Sequence, residues 1–205
     1  MNKKEISVVW TCKTPGIPDE MFLQSDDVPG PTKEEIRVLT ISKARLREGA
    51  VVVDVGCGTG GLTVEAALQV APKGKVFAID EDEKAVELTK ANMAKFAMQG
   101  TVQVIHGKAP SALLSLPDAD AILLGGSKSL RTVLQFAHQK LKKNGRIVVN
   151  AILLETACIA LDEIKRLGFK EVDAITVFVA KGKAVNSGTM MLARNPITIV
   201  SATKV

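Results

Sequence analysis

Asp54, Gly56, Gly58 and Gly60 stand at alternate positions directly after the apolar run at residues 51–53. An acid and three closely spaced glycines can hold a sugar, a phosphate or a small cationic group. Glycine has no Cβ, so the chain there can bend sharply and lie against a ligand. A helical pattern begins at Gly61-Leu62. Its first amides and positive dipole end would point at whatever sits over the turn. A second apolar run ends at Asp80, twenty residues after Gly60. A carboxylate there can accept two hydrogen bonds from ribose hydroxyls. Alternatively Asp80, with Glu81, Asp82 and Glu83, caps the next helix. Asp54 can offset positive charge on a ligand, or it can hold the loop's amides.

The elements that must place these residues alternate along the chain. Apolar runs at residues 51–55, 75–79, 102–105, 121–124 and 146–151 read as strands. Helical periodicity spans residues 62–70, 83–98, 130–141 and 156–167. The strands lack clean alternation, as expected when helices cover both sheet faces. Right-handed crossovers then give an α/β, doubly wound, mostly parallel sheet of Rossmann-like form. Two β-rich runs, 172–180 and 190–200, have no helix between them. They predict a C-terminal antiparallel hairpin on the sheet edge, with a loop over 181–189, making seven strands in all. Residues 1–31 hold Pro15, Gly16, Pro18, Pro29, Gly30 and Pro31 and read as an irregular N-terminal arm before a domain over 32–205. Thr32-Lys33-Glu34-Glu35 fits a capping box, with the helix ending near Glu48-Gly49.

Composition narrows the function classes. No apolar run reaches the roughly 18 residues a membrane helix needs, and no signal-like core follows Met1-Asn2-Lys3-Lys4-Glu5. Cys12, Cys57 and Cys158 are scattered and odd in number, which fits a reducing cytoplasm rather than a disulfide framework or a metal site. Residues 51–120 carry six basic and nine acidic side chains, and residues 121–205 thirteen basic and five acidic. A cationic or hydroxyl-rich cofactor suits the first half and an anionic partner the second. One tryptophan and no tyrosine leave few platforms for stacking bases. His106 and His138 form no catalytic constellation.

The loop fits two templates. Gly56, Gly58 and Gly61 satisfy the dinucleotide pattern. Asp54, Gly56, Gly58 and Gly60 satisfy the pattern of S-adenosylmethionine-dependent methyltransferases. The antiparallel tail and the short chain favour the second, since a dehydrogenase would need more chain for its substrate half. Two features depart from common methyltransferase patterns. Lys108 follows Gly107 where an acid often stands beside adenine. Leu124-Gly125-Gly126-Ser127 lacks the amide-proline motif of enzymes that methylate amino nitrogens.

More specific segments narrow the resemblance. Val28-Pro29-Gly30-Pro31-Thr32, the glycine loop, Gly125-Gly126-Ser127, Asn150-Ala151-Ile152-Leu153-Leu154-Glu155-Thr156, and the tail Gly188-Thr189-Met190-Met191 with Arg194-Asn195-Pro196 carry it. Together they resemble the family of decarboxylating cobalt-precorrin-6B methyltransferases of cobalamin biosynthesis, which act at ring carbon 15. The resemblance implies S-adenosylmethionine as cofactor, held by Thr32, Gly56, Cys57, Gly58, Thr59, Gly60, Asp80 and Ala109; Asp54 joins these as a carboxylate suited to the ligand's positive charge. It also implies a tetrapyrrole polycarboxylate substrate and a homotetramer. Lys128, Arg131, Lys181, Lys183 and Arg194 are then the candidate carboxylate clamp, and Glu155 and Arg194 the candidate catalytic residues. No metal ligand is assigned. The rival readings are a transfer-RNA adenine methyltransferase, a non-catalytic nucleotide-binding protein and a small dehydrogenase.

Overall fold

The computed structural model describes residues 10–125 and 129–205. Its strands are β1 (Val51–Val55), β2 (Lys75–Asp80), β3 (Val102–His106), β4 (Ala119–Leu124), β5 (Leu141–Ala151), β6 (Lys170–Val177), β7 (Ala180–Val185), β8 (Gly188–Ala193) and β9 (Ile197–Thr203). Its helices are α1 (Glu34–Ala44), α2 (Gly61–Val70), α3 (Glu83–Lys95), α4 (Leu130–Lys140) and α5 (Leu154–Arg166). Among the described residues, one seven-stranded sheet runs in the order β3-β2-β1-β4-β5-β9-β6. The first five are parallel, and β9 is antiparallel to both β5 and β6. The order reverses between β1 and β4, where a crevice opens at the carboxyl ends.

Both faces of the sheet are covered. Val52, Val76 and Val148 pack with Ile36, Leu62, Val64 and Met93 of α1, α2 and α3. Val53, Ile122 and Val149 pack with Leu130, Val133 and Ile164 of α4 and α5. Burial on both sides accounts for the unbroken apolar strands.

The structure corrects three expectations. Thr32 does not cap α1. The N-cap is Lys33, without a side-chain cap bond, and the Glu34 amide donates instead to Asp19 Oδ1 at 2.9 Å. A carboxylate fifteen residues upstream has replaced the local cap, and Glu35, freed from the box, accepts from Arg194. The helix also stops at Ala44, because Arg45 turns into the left-handed region at φ 51. In the tail, residues 181–189 are not a simple loop. β7 and β8 form their own two-stranded ribbon, while the strands that join the sheet are β6 and β9. Pro196 has no amide to continue the ladder from β8 into β9.

Over its described residues the arm holds no α-helix and no strand of the sheet, yet it is tightly held. Ile17, Phe22 and Val28 are buried. Arg37 of α1, fully enclosed, reaches Glu65 of α2 through Nε (3.2 Å), Asp19 through Nη1 (2.7 Å), and the carbonyls of Thr32 and Ile17. Glu65 accepts from the Gly16 and Ile17 amides in turn. The guanidinium also lies 4.7 Å above the centre of the Phe22 ring.

Candidate functional site

The crevice holds a cavity of about 830 Å³, a size suited to one cofactor-sized ligand with part of a second. Its walls come from the arm (Pro29 to Lys33), the glycine loop, the end of β2, Gly125 and Asn150, and the tail around Arg194.

The glycine loop is shaped by its own backbone. Gly56, Gly58 and Gly60 have φ of 75, 55 and 81, a region costly for residues with a Cβ. The Gly56 and Cys57 amides both donate to Ile79 O, tying the turn to β2. A Cβ at Gly58 would come within 3.1 Å of the Pro29 carbonyl, and one at Gly30 within 3.1 Å of Thr59 Oγ1. Arm and loop therefore lie in van der Waals contact, and glycine is what lets them do so. Gly61 and Leu62, in the first turn of α2, line the cavity. First-turn amides have no intrahelical acceptor, so this is a donor-rich wall.

Asp80 ends β2 at the rim, half-buried. Its Oδ2 accepts from the Gly58 amide at 2.9 Å and its Oδ1 from the Asp82 amide at 3.1 Å. The cap of α3 is Asp82, which accepts from Lys84 N, so Asp80 is not needed for capping. Each of its oxygens keeps a lone pair for a further donor.

Asp54 is buried beneath the loop and accepts from Thr63 Oγ1 at 2.6 Å. It does not hold the loop amides. Loss of solvent pushes its acidity from 3.8 up to about 6, against the opposing Thr63 bond and with a smaller contribution from Asp80. A buried carboxylate with one neutral partner, open to a cavity, is matched to a cationic group. Cys57 is buried beside it, and its thiol is pushed up to about 12, first by burial and then by the Asp54 charge. It stays protonated and is no nucleophile.

The cavity wall carries four acids, Asp54, Asp80, Glu81 and Asp82, and two cations, Lys33 and Arg194. Arg194 donates to Glu35 Oε2 at 2.8 Å and sits 3.8 Å from Asp19. Lys181 of β7 pairs with Glu34 and Glu35 at 3.4 and 3.9 Å. These pairs latch the tail to the start of α1.

Of the other residues singled out from the sequence, Thr32, Cys57 and Thr59 line the cavity. Ala109, Lys181, Lys183 and Glu155 are not among the lining residues. Glu155 is exposed in the first turn of α5, where a negative charge suits the helix dipole. Arg131 is not part of a carboxylate clamp. It lies in the α4–α5 layer, bonded to Asp162 at 2.9 Å and Glu163 at 3.4 Å. Arg166, Gln135 and Arg131 together hold the Glu163 carboxyl down at about 2. Gly126, Ser127 and Lys128 lie outside the described residues. His106 Nε2 is 3.1 Å from Glu81 O, and His138 packs edge-on to Phe169. Among the described residues no cluster of His, Cys, Asp or Glu is placed to hold a metal, and no helix is long and apolar enough to cross a membrane.

One lining residue, Asn150, and two residues beneath the wall, Arg37 and Glu65, were not singled out as site residues from the sequence. Arg37 and Glu65 are 28 positions apart and each sits in an ordinary helical pattern, so no local signal joins them. Asn150 lay within a specific segment but had no assigned role.

Comparison with known proteins gives a consistent set of relatives. Residues 24–204 match the family model described as a precorrin methyltransferase domain. The chain is 50% identical over 193 residues to a protein of Sulfurisphaera tokodaii named "probable cobalt-precorrin-6B C(15)-methyltransferase (decarboxylating)", covering 94% of this chain and 99% of that one. The crystal structure of precorrin-8W decarboxylase from Methanobacterium thermoautotrophicum superposes with a TM-score of 0.87 at 41% identity, covering 91% and 98% of the two chains. That of precorrin-6Y C5,15-methyltransferase from Geobacter metallireducens gives 0.86 at 32% identity, covering 93% and 99%.

Proposed function

Because the chain belongs to the precorrin methyltransferase domain family, we propose that it methylates ring carbon 15 of cobalt-precorrin-6B, with loss of carbon dioxide from an acetate side chain. The rival activities are not favoured by these relatives. The observation that carries the reading is the cavity's wall, which joins a donor-rich glycine loop and a buried acid to the cations Lys33 and Arg194.

S-adenosylmethionine, bound over the glycine loop, would supply an electrophilic methyl group on a sulfonium. The residues fit such a ligand. Asp80 would take the ribose hydroxyls, and the first-turn amides of α2 would face the polar groups above them. Asp54 would lie under the positive charge, and the arm segment from Pro29 to Thr32 would close the cavity from above. Ala109, past the end of β3, would approach the adenine through its backbone. The acceptor carbon attacks in line, so placement and exclusion of water are the protein's main contributions. On decarboxylation the electron pair of the breaking carbon–carboxyl bond enters the conjugated macrocycle, which needs no nucleophile from the chain.

Of the N-terminal arm, the described residues 10–31 would close over a domain spanning 32–205. The active form is a homotetramer in the cytoplasm. Support for assembly comes from the β7–β8 ribbon, where Val185, Met190, Met191 and Leu192 are exposed. An isolated two-stranded ribbon is marginal in water, so a second copy covering it would stabilise both.

The purified protein, S-adenosylmethionine and the corrin precursor, followed by mass, should show gain of one methyl and loss of one carbon dioxide. Methylated transfer RNA with no change in the precursor would overturn the assignment.

Asp54 gives a second test through pH. An acid with a raised folded-state pKa contributes stability when protonated. That contribution is full below pH 3.8 and is lost as pH rises through about 6. Asp54→Asn keeps an acceptor for Thr63. Without ligand it should be more stable than the native chain at pH 8, by on the order of 3 kcal/mol, and equal to it near pH 3.5. Its affinity for S-adenosylmethionine should fall by roughly tenfold at pH 8, since the ionised acid is what the sulfonium end meets. Denaturation and calorimetry at the two pH values check both effects, and an unchanged affinity would remove Asp54 from the cofactor's field.

A further inference from the structure

Asn150 is held firmly on one side and left open on the other. It stands near the end of β5, is 9% exposed and lines the cavity. Its Oδ1 lies 3.0 Å from Thr40 Oγ1, whose single proton is shared between this oxygen and the Ile36 carbonyl at 2.7 Å, and Thr40 is fully buried in α1. Its Nδ2 has no partner among the described residues. That nitrogen is not sealed in, because the enclosed unpartnered side-chain atoms among the described residues are Trp10 Nε1 and Asp19 Oδ2. Two N–H donors are thus available at the cavity floor, beside a bond that fixes the amide's orientation.

The position is informative. The floor crosses the strands in the order β2, β1, β4, β5, at ~4.8 Å per step. A ligand anchored at Asp80 and running over Gly56 ends near β1 and β4. Asn150 lies one strand further on, ~14 Å from the Asp80 strand, where the acceptor must approach. The cations of the cavity wall are engaged, Arg194 with Glu35 and Lys33 with Asp19 at 3.6 Å. Asn150 Nδ2 is not.

We propose that Asn150 is a substrate-contacting residue whose Nδ2 donates to a carboxylate oxygen of the macrocycle, with Thr40 as the positioning residue that holds the amide. This rests on the reading of the site as that of a corrin-precursor methyltransferase. Asn150→Asp keeps the shape and the Thr40 bond but replaces the donor by an acceptor, which meets an anionic substrate with repulsion. The tests are visible-absorbance titration with the corrin precursor, S-adenosylmethionine affinity by calorimetry, melting temperature, and kcat and KM. For Asn150→Asp, precursor affinity should fall and KM rise by roughly tenfold or more. Cofactor affinity should stay within about twofold. Asn150→Ser, neutral and too short to reach, should raise KM as well, and it serves if the aspartate variant does not fold. Thr40→Val should raise KM by a smaller factor, and Thr40→Ser should restore it. Native KM and kcat in both Asn150 variants would overturn the proposal, as would equal loss of cofactor affinity. If the native protein itself does not bind the precursor, the functional reading fails and the proposal with it, an outcome seen in the native titration alone.

Discussion

Arg37→Met is expected to lower unfolding free energy by about 3–5 kcal/mol, the scale for removing one partner of a buried ion pair. The methionine can fill much of the space, so a cavity is not the main cause. The cost comes from Glu65, fully enclosed and left without its cation, and from the Ile17 and Thr32 carbonyls that lose a charged donor. Asp19 loses its shortest pairing. The same change should loosen the arm, because Arg37 ties Ile17, Asp19 and Thr32 to the helix layer. Cofactor affinity should therefore drop along with stability, although Arg37 lies beneath the cavity wall rather than in it. Urea denaturation and calorimetry on the same preparation check the pair of effects. A double variant, Arg37→Met with Glu65→Leu, should recover part of the stability, since no unpaired charge remains. A loss below about 1 kcal/mol in the single variant would mean that the pair is relaxed by solvent.

That pair marks where the sequence stops being informative. The strand β1, its glycines and the acid ending β2 were legible because each signal is local: an apolar run, a turn needing positive φ, a carboxylate at a strand end. The seven-stranded sheet followed from the alternation of strands and helices and from a tail without a helix. The start of α1 was misread for the opposite reason. Thr32 and Glu35 have the spacing of a capping box, but Asp19 is brought to the helix end by the arm's tertiary course and takes the amide first. Arg131 was misplaced because a cation following a strand end reads as rim, whereas helical phase turns it toward Glu163 of α5. β8 was read as the start of the run that joins the sheet, and β7 was missed because its residues are exposed on both faces, so no alternation marks it as strand. Asn150 shows a mixed case. Its segment was distinctive, yet its environment depends on Thr40, 110 residues away.

Asp80→Ala should weaken S-adenosylmethionine binding by about 2–3 kcal/mol, roughly 30- to 150-fold. Two losses combine. The ribose hydroxyls lose a charged acceptor, worth more than a neutral one. The Gly58 amide, bonded to Asp80 at 2.9 Å, also loses the carboxylate that keeps the glycine turn in shape. Global stability should change little, because Asp80 is half-buried at a strand end and the α3 cap belongs to Asp82. Asp82→Ala is the matching control. It should cost about 1 kcal/mol of stability through the lost cap and lower cofactor affinity by less than Asp80→Ala does, since it lines the cavity without being the ribose acceptor. The two variants should thus separate in opposite directions, one in affinity and the other in melting temperature. Asp80→Asn, which keeps an acceptor for Gly58 but not the charge, should fall between the native chain and Asp80→Ala. Equal affinity for native and Asp80→Ala proteins would place the ribose elsewhere, and with it the cofactor's direction across the sheet.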